Sequence, residues 1–309
     1  MRGKIYRRYL LVEEDSARYL DGMNTVIPAL FIGGFLAVSQ PARADASEAR
    51  QLDLAYSISV SGVDAGQLTL SIAFTGGSFR ISSKLQSLGF IDKFIGFRSQ
   101  ASTKGSMSSN KIKPSEHMAD NLWREETRYV RLSYGPHGPV KSDISPSAET
   151  DDREAVPREM WPGTFDALSA AYIASLAART NVDDSAARCL ATIPIFDGRR
   201  RYDIRISPIG YRSIDGPVYR GSAFECDVKL HRIAGNSKNP WIPRSENETG
   251  KVWYTKLSED WPPVPVRFEN DIILGSVVID LQGAKARDID LKPVADVSTP
   301  PVINNETPQ

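Results

Sequence analysis

A single stretch of helical periodicity in a chain that otherwise patterns as strand constrains the fold more than any other feature. Between Phe165 and Arg179 the apolar side chains recur as Phe165, Leu168, Tyr172 and Leu176, with alanines in the gaps, which predicts one amphipathic helix. Thr164 or Asp166 can cap its start, Asp166 and Arg179 suit the positive and negative ends of its dipole, and Asn181 suits the exit. Soon after, Asp197-Gly198 falls between two alternating runs, Ile193 to Phe196 and Arg201 to Ile206, a strong hairpin signal. A lone helix in β-rich sequence must bury its stripe against a sheet, so the expected class is mainly β, of α+β type, with the sheet folded around this helix.

The strand reading starts at Leu54. Tyr56, Ile58 and Val60 share one face, Leu68, Leu70, Ile72 and Phe74 another run, and Phe79, Ile81 and Leu85 a third, an antiparallel meander with one wet face. Ser99 to Met107 is polar enough to suggest an exposed edge strand. Glu116 to Arg124 and Thr127 to Tyr134 suggest a strand pair. Gly135 to Pro162 has no period and suggests a long surface connection, either a plain linker or a lid over a site. Further strands are expected over Gly221 to Ile233, Lys251 to Leu257, Val264 to Glu269 and Ile272 to Leu281, and a polar, disordered tail over 293–309.

The N-terminus points to export. Thr25 to Ser39 is an uncharged apolar run of signal-peptide length, followed by Pro41 and the small-x-small triplet Ala42-Arg43-Ala44, so residues 1–44 are expected to be removed by cleavage after Ala44. The run is shorter than a membrane-spanning helix needs, so no transmembrane segment is expected in the mature chain, and no cysteine at the cleavage site offers a lipid anchor. Glu13, Glu14, Asp15 and Asp21 lie unusually between Arg7-Arg8 and the run, which makes Met23 an alternative start. Residues 45–292 then form one β-rich domain.

Composition closes some classes. The formal net charge is zero over 309 residues, so whole-molecule attraction to nucleic acid is not implied. The two cysteines, Cys189 and Cys226, lack C-x-x-C spacing, and in an exported protein they predict a disulfide. Closing a loop of that length stabilises by about 4 kcal/mol on the chain-entropy argument. There is no G-x-S-x-G elbow, P-loop, G-x-G-x-x-G after a strand or H-E-x-x-H, so no catalytic, cofactor or metal residues are assigned and no enzyme is expected. His117, His137 and His231 have no motif linking them and are taken as structural or surface histidines.

Two clusters stay open as ligand contacts. Phe90, Phe94 and Phe97, with Ile91 and Ile95, form either ordinary core or a hydrophobic lip beside a cavity. Arg199, Arg200 and Arg201 form either a phosphate- or carboxylate-gripping patch or a solvated hairpin face, with Arg200 in an internal ion pair. Trp241, Trp253 and Trp261 suit a sugar or lipid cleft, or core.

The segment T-F-D-A-L-S-A-A-Y followed by I-P-I-F-D-G-R-R-R-Y-D, with V-W-Y-T and P-P-V-P-V-R-F downstream, resembles the bacterial exported family known as domain of unknown function 3108, over roughly Leu54 to Leu281. The resemblance implies a periplasmic fold similar to the half-barrel of the LolA and LolB lipoprotein carriers, a curved antiparallel sheet wrapped on one helix. It supplies no catalytic residues. The expected function is a non-enzymatic periplasmic carrier or binding protein for an apolar or amphipathic envelope ligand, in envelope maintenance. The alternatives are a module that binds another envelope protein or polymer, and a polysaccharide hydrolase whose carboxylates are far apart in sequence.

Overall fold

Period-2 alternation runs through most of the chain, and its strands need partners on both sides to satisfy their backbone groups. The computed structural model describes residues 49–292 apart from 109–110, 124, 180–187, 240–246 and 273–274, with the side chains of Phe94, Ile95, Asn247 and Ile272 also left out. The expected signal peptide, the Met23 start, Asn181, Trp241 and the tail lie outside the described residues.

The meander is present as β1 (Arg50–Val60), β2 (Val63–Thr75) and β3 (Ser78–Ser87), and a short helix α1 (Gly89–Ile95) leads on. Then come β4 (Phe97–Ser108), β5 (Lys111–Trp123), β6 (Glu126–Gly135) and β7 (Gly138–Ser145). A 3-10 turn at Arg158–Met160 precedes helix α2 (Ala167–Ala177). A second run follows as β8 (Ala191–Phe196), β9 (Arg201–Asp215), β10 (Arg220–Ala234), β11 (Asn247–Thr255), β12 (Val264–Ile272), β13 (Gly275–Ala286) and β14 (Ile289–Leu291). All belong to one 14-stranded antiparallel sheet ordered β7-β6-β5-β4-β3-β2-β1-β13-β12-β11-β10-β9-β8, with β14 on β13. Each run is a meander, and the two join where β1 pairs with β13. The sheet is a curved, open half-barrel around α2.

Two sequence expectations are corrected. β4 is an interior strand, paired with β3 and β5, and not an exposed edge. Its polarity has another cause: the outer positions Gln100 and Lys104 are solvated, while the inner positions Ala101 and Thr103 are small and lie against α2. The stretch Gly135 to Pro162 is more than a surface connection. It contains β7, and its remainder is a strap that joins the two ends of the open sheet. Glu154 N donates to Asn236 O at 2.9 Å, Lys238 N to Asp152 O at 2.8 Å, Phe165 N to Pro194 O at 2.9 Å and Phe196 N to Phe165 O at 2.9 Å. These are isolated bridges between Arg153 and Ser237 and between Phe165 and Ile195, too short to impose an alternating pattern.

The β8–β9 hairpin supports the same closure. Its loop has four residues, 197–200, because the Asp197 carboxylate accepts from the Arg199 and Arg200 amides at 3.0 and 2.8 Å and stabilises a wider turn. Gly198 has φ +91°, and a Cβ there would meet Val130 Cγ1 of β6 at 2.5 Å. Beside it Phe196 is buried with Val130 and Leu132, and its ring stacks on Trp161 of the strap at 4.8 Å. Strand edges that never hydrogen-bond to one another are thus joined through side chains and the strap.

Of the expected stripe the helix fully buries only Tyr172. Its buried positions are Ser169, Ala170, Tyr172 and Ala174, whereas Phe165, Leu168 and Leu176 are only half-buried. Ala170 and Ala174 pack on Ile193, Ile195, Tyr202 and Ile206 of β8 and β9, while Tyr172 meets Phe74 at 5.6 Å on the other side. Small residues win because α2 lies between two parts of one sheet, and close approach of backbone to strand favours alanine and serine there.

Cys189 and Cys226 form a disulfide in which both residues are fully buried, among Ala178, Phe224, Val252 and Tyr254. Cys189 N also donates to Ala177 O at 2.8 Å, so the bridge ties the C-terminal end of α2 to β10. Thiol titration of denatured, unreduced protein should find neither cysteine reactive, and the double variant Cys189→Ala/Cys226→Ala should lose about 4 kcal/mol in urea unfolding. Gly198→Ala should cost roughly 1–3 kcal/mol, from the positive φ and the contact with Val130.

Candidate functional site

The entry to α2 carries the most concentrated polar chemistry of the interior. Asp166 is the N-cap, with zero exposure and an extended backbone. Its Oδ1 accepts from the Leu168 and Ser169 amides at 3.0 and 2.9 Å, which satisfies two of the donors a helix start leaves open. Three strands add to it. Thr103 Oγ1 of β4 donates to Oδ1 at 2.7 Å, His117 Nδ1 of β5 lies 3.3 Å from the same oxygen, and Tyr134 of β6 donates to Oδ2 at 3.3 Å. Ser169 Oγ completes the shell at 2.7 Å.

Burial pushes the Asp166 carboxyl upward, but the hydrogen bond and charge from His117, with the Ser169 amide and the Thr103 hydroxyl, outweigh it and hold the group at about 2. The Tyr134 hydroxyl is raised, first by burial and then by the Asp166 charge. Thr103 has one proton and gives it to Asp166, so its oxygen accepts from His117 Nδ1 at 2.8 Å, which places a proton on Nδ1. The hydroxyl therefore does not donate to the imidazole as an activated nucleophile must, and Thr103 has no exposed surface. The network is a helix cap docked on three strands.

Next to it opens a cleft of about 1200 Å³. One wall is the half-buried face of α2, Ile173, Leu176 and Ala177, continued by Phe165. The other wall is the start of β5, with Ile112 buried at its base, and the β6–β7 turn from Tyr134 to Gly138. The turn is held to the helix entry where Gly163 N donates to His137 O at 2.6 Å. The outer members of the predicted apolar stripe, Phe165 and Leu176, thus face this cleft. Tyr134 belongs to both features, lining the cleft and donating to Asp166.

The residues singled out from sequence lie elsewhere. Phe90 sits on α1 and is 66% exposed, Phe94 is on the same helix with its side chain outside the described residues, and Phe97 on β4 meets Trp123 edge-on at 6.0 Å. Arg199 pairs with Asp151 and donates to Ser145 O at 2.5 Å, Arg200 pairs with Asp197 at 2.7 Å, and Arg201 pairs with Asp203 at 2.6 Å. None of the six lines the cleft. Trp253 and Trp261 are buried in the main core. Thr103, Tyr134 and Ser169 were not flagged by sequence, since a lone hydroxyl in a strand or helix has no spacing signal. The sequence by itself offers His117 no role beyond a structural or surface histidine. Among the described residues, no group of three or more His, Cys, Asp or Glu is placed to hold a metal ion, and no helix is long and apolar enough to cross a membrane.

A family model described as "Protein of unknown function (DUF3108)" matches residues 55–282. The chain belongs to this family. The DUF3108 match spans the whole of α2, the Asp166 network, the disulfide and every residue of the cleft lining. Among solved structures the chain is similar to a beta-barrel-like protein of domain of unknown function DUF1849 from Brucella abortus, at 9% identity and a TM-score of 0.41, over 77% of this chain and 98% of that one. It is also similar to a protein from Parabacteroides distasonis described as a "putative lipoprotein", at 10% identity and a TM-score of 0.29, over 76% and 94%. No curated protein matches the chain.

Asp166→Ala should destabilise by about 3–5 kcal/mol, because it strands buried donors on three strands, and Asp166→Asn by less, since asparagine still caps a helix. The carboxyl is depressed in the folded state, so its contribution is complete above the unfolded value near ~4 and is lost as pH falls through about 2. Urea unfolding at pH 4 and pH 2 should show a loss of roughly 2 kcal/mol that the asparagine variant lacks.

Proposed function

We propose that this DUF3108 protein is an exported, non-enzymatic binding or carrier protein of the periplasm that shelters an apolar or amphipathic envelope ligand. The observation that carries the reading is the cleft of about 1200 Å³ between α2 and the β5–β7 hairpins, walled by Ile112, Phe165, Ile173 and Leu176. Its volume exceeds the usual range of about 300–1,000 Å³ for small-molecule sites, enough for an acyl chain, and such sites are mostly apolar with few polar groups. A side chain stripe on α2 left half-buried beside an open volume is an unusual use of apolar surface unless something covers it.

Export and the periplasm are supported by the apolar N-terminal run with its small-x-small triplet and by the buried disulfide, since structural disulfides persist in oxidising compartments. A half-barrel with a helix on its inner face supports the carrier-like architecture that the family resemblance implies. A role without catalysis is supported by the use of the densest polar cluster as a helix cap.

Native mass spectrometry of protein purified from its own periplasm should find a co-purified lipid-like molecule. In vitro, the purified protein should enhance the fluorescence of an apolar probe such as N-phenyl-naphthylamine. Leu176→Trp, which fills the cleft, should weaken that binding about tenfold, or ~1.4 kcal/mol, at an unchanged thermal midpoint. Equal probe binding by the filled variant would sink the assignment to this cleft.

A further inference from the structure

Four Asp, Glu, Lys or Arg residues are buried among the described residues, and three of them are answered. Asp151 pairs with Arg199, Glu225 pairs with Arg212 at 3.2 Å and with Lys251 at 2.9 Å, and Asp166 has its shell of donors at the helix cap. The fourth, Arg188, is 9% exposed and has no carboxylate partner among the described residues. Its guanidinium lies over the Phe224 ring at 4.5 Å and the Tyr211 ring at 5.1 Å, and Nη1 donates to the Tyr211 hydroxyl at 2.5 Å. Nε is shut off from solvent without an acceptor. Stacking on aromatic faces offsets part of the cost of burying the cation, but it satisfies no N–H.

The position of this side chain is built into the fold. Cys189, the next residue, is bonded to Cys226, and Phe224 lies two residues before Cys226 on the same face of β10. The disulfide therefore holds Arg188 over the ring it stacks on. The guanidinium lines a pocket of about 370 Å³ at the C-terminal end of α2, with Phe224, Tyr254, Trp261 and Pro263 as buried walls. That volume is in the range of small-molecule sites. The other charges of the lining cancel: Lys256 pairs with Glu259, and Arg179 offsets the partial negative charge of the helix end. The charge of Arg188 is left over. None of the residues of this pocket lines the larger cleft.

From this geometry we infer a second binding site, independent of the carrier reading, for a small organic anion. Its aromatic or short apolar body would rest against Tyr254 and Trp261, and its carboxylate or phosphate head on Arg188. A guanidinium is a planar fork that takes either head through two parallel hydrogen bonds, and the edge containing Nε is the one without an acceptor. A bound head supplies both the missing acceptor and the missing counter-charge.

The test is calorimetric titration of the full chain with benzoate, with phenyl phosphate and with the neutral benzamide. The wild type should bind at least one of the two anions about tenfold more tightly than benzamide, and the tighter one identifies the head. Arg188→Gln should abolish that preference. In nitrogen-15 spectra of the wild type, the Arg188 Nε–H resonance should shift on saturation with the preferred anion, a readout that stands even where the variant fails to fold. Equal binding of anions and benzamide would overturn the inference. So would a preference that survives in folded Arg188→Gln protein, or an Nε–H resonance that does not move. Binding of the apolar probe at the larger cleft is separate from all of these outcomes.

Discussion

A carboxylate with no exposure is expensive to bury, and the fold is arranged around the donors that make it tolerable. Asp166 receives hydrogen bonds from its own helix start and from Thr103 and Tyr134, with His117 Nδ1 at 3.3 Å. These partners come from β4, β5 and β6, so helix position, strand register and strand curvature must all be right before the charge is satisfied. At the other end of α2 the disulfide attaches Cys189 to β10. The helix is held to one half of the sheet by a polar cap and to the other half by a covalent bond, and this positions it between them.

Placing a helix inside an open sheet leaves two edges to manage. The strap from Asp151 to Phe165 manages them, bonded to Asn236 and Lys238 at one end of the β8–β10 side and to Pro194 and Phe196 at the other. The arginine hairpin belongs to this closure, since Arg199 reaches Asp151 and the Ser145 carbonyl. Three arginines in a row leave both a ligand patch and an ion-paired hairpin face open when only their charge is visible, and here each has a carboxylate partner. The cleft follows from the same geometry. Alanines and serine on α2 fill the gap between the sheet halves, so the larger apolar residues Phe165, Ile173 and Leu176 are displaced toward the open side.

The particular successes and failures of sequence reasoning have a common physical origin. Strands β1 to β3 and β8 to β9 alternate cleanly because one face is buried by the core and the other is wet. β4 escaped correct placement because its inner face is small and polar, matched to a polar cap and not to hydrocarbon. The strap escaped because bridges between single residues leave no period. Asp166 was recognisable as a cap candidate, but its partners were not, since Thr103 and Tyr134 stand 63 and 32 positions away and each contributes one contact.

The chain's local chemistry settled the class, the helix α2, the hairpin at Asp197-Gly198 and the pairing of the only two cysteines. Each of these rests on interactions between near neighbours, or on a choice with a single alternative. The docking of α2 on three strands, the strap across the open edges and the cleft arose only in three dimensions. They depend on which residues from distant strands meet, and a buried carboxylate or a half-covered leucine acquires its meaning from the groups opposite it.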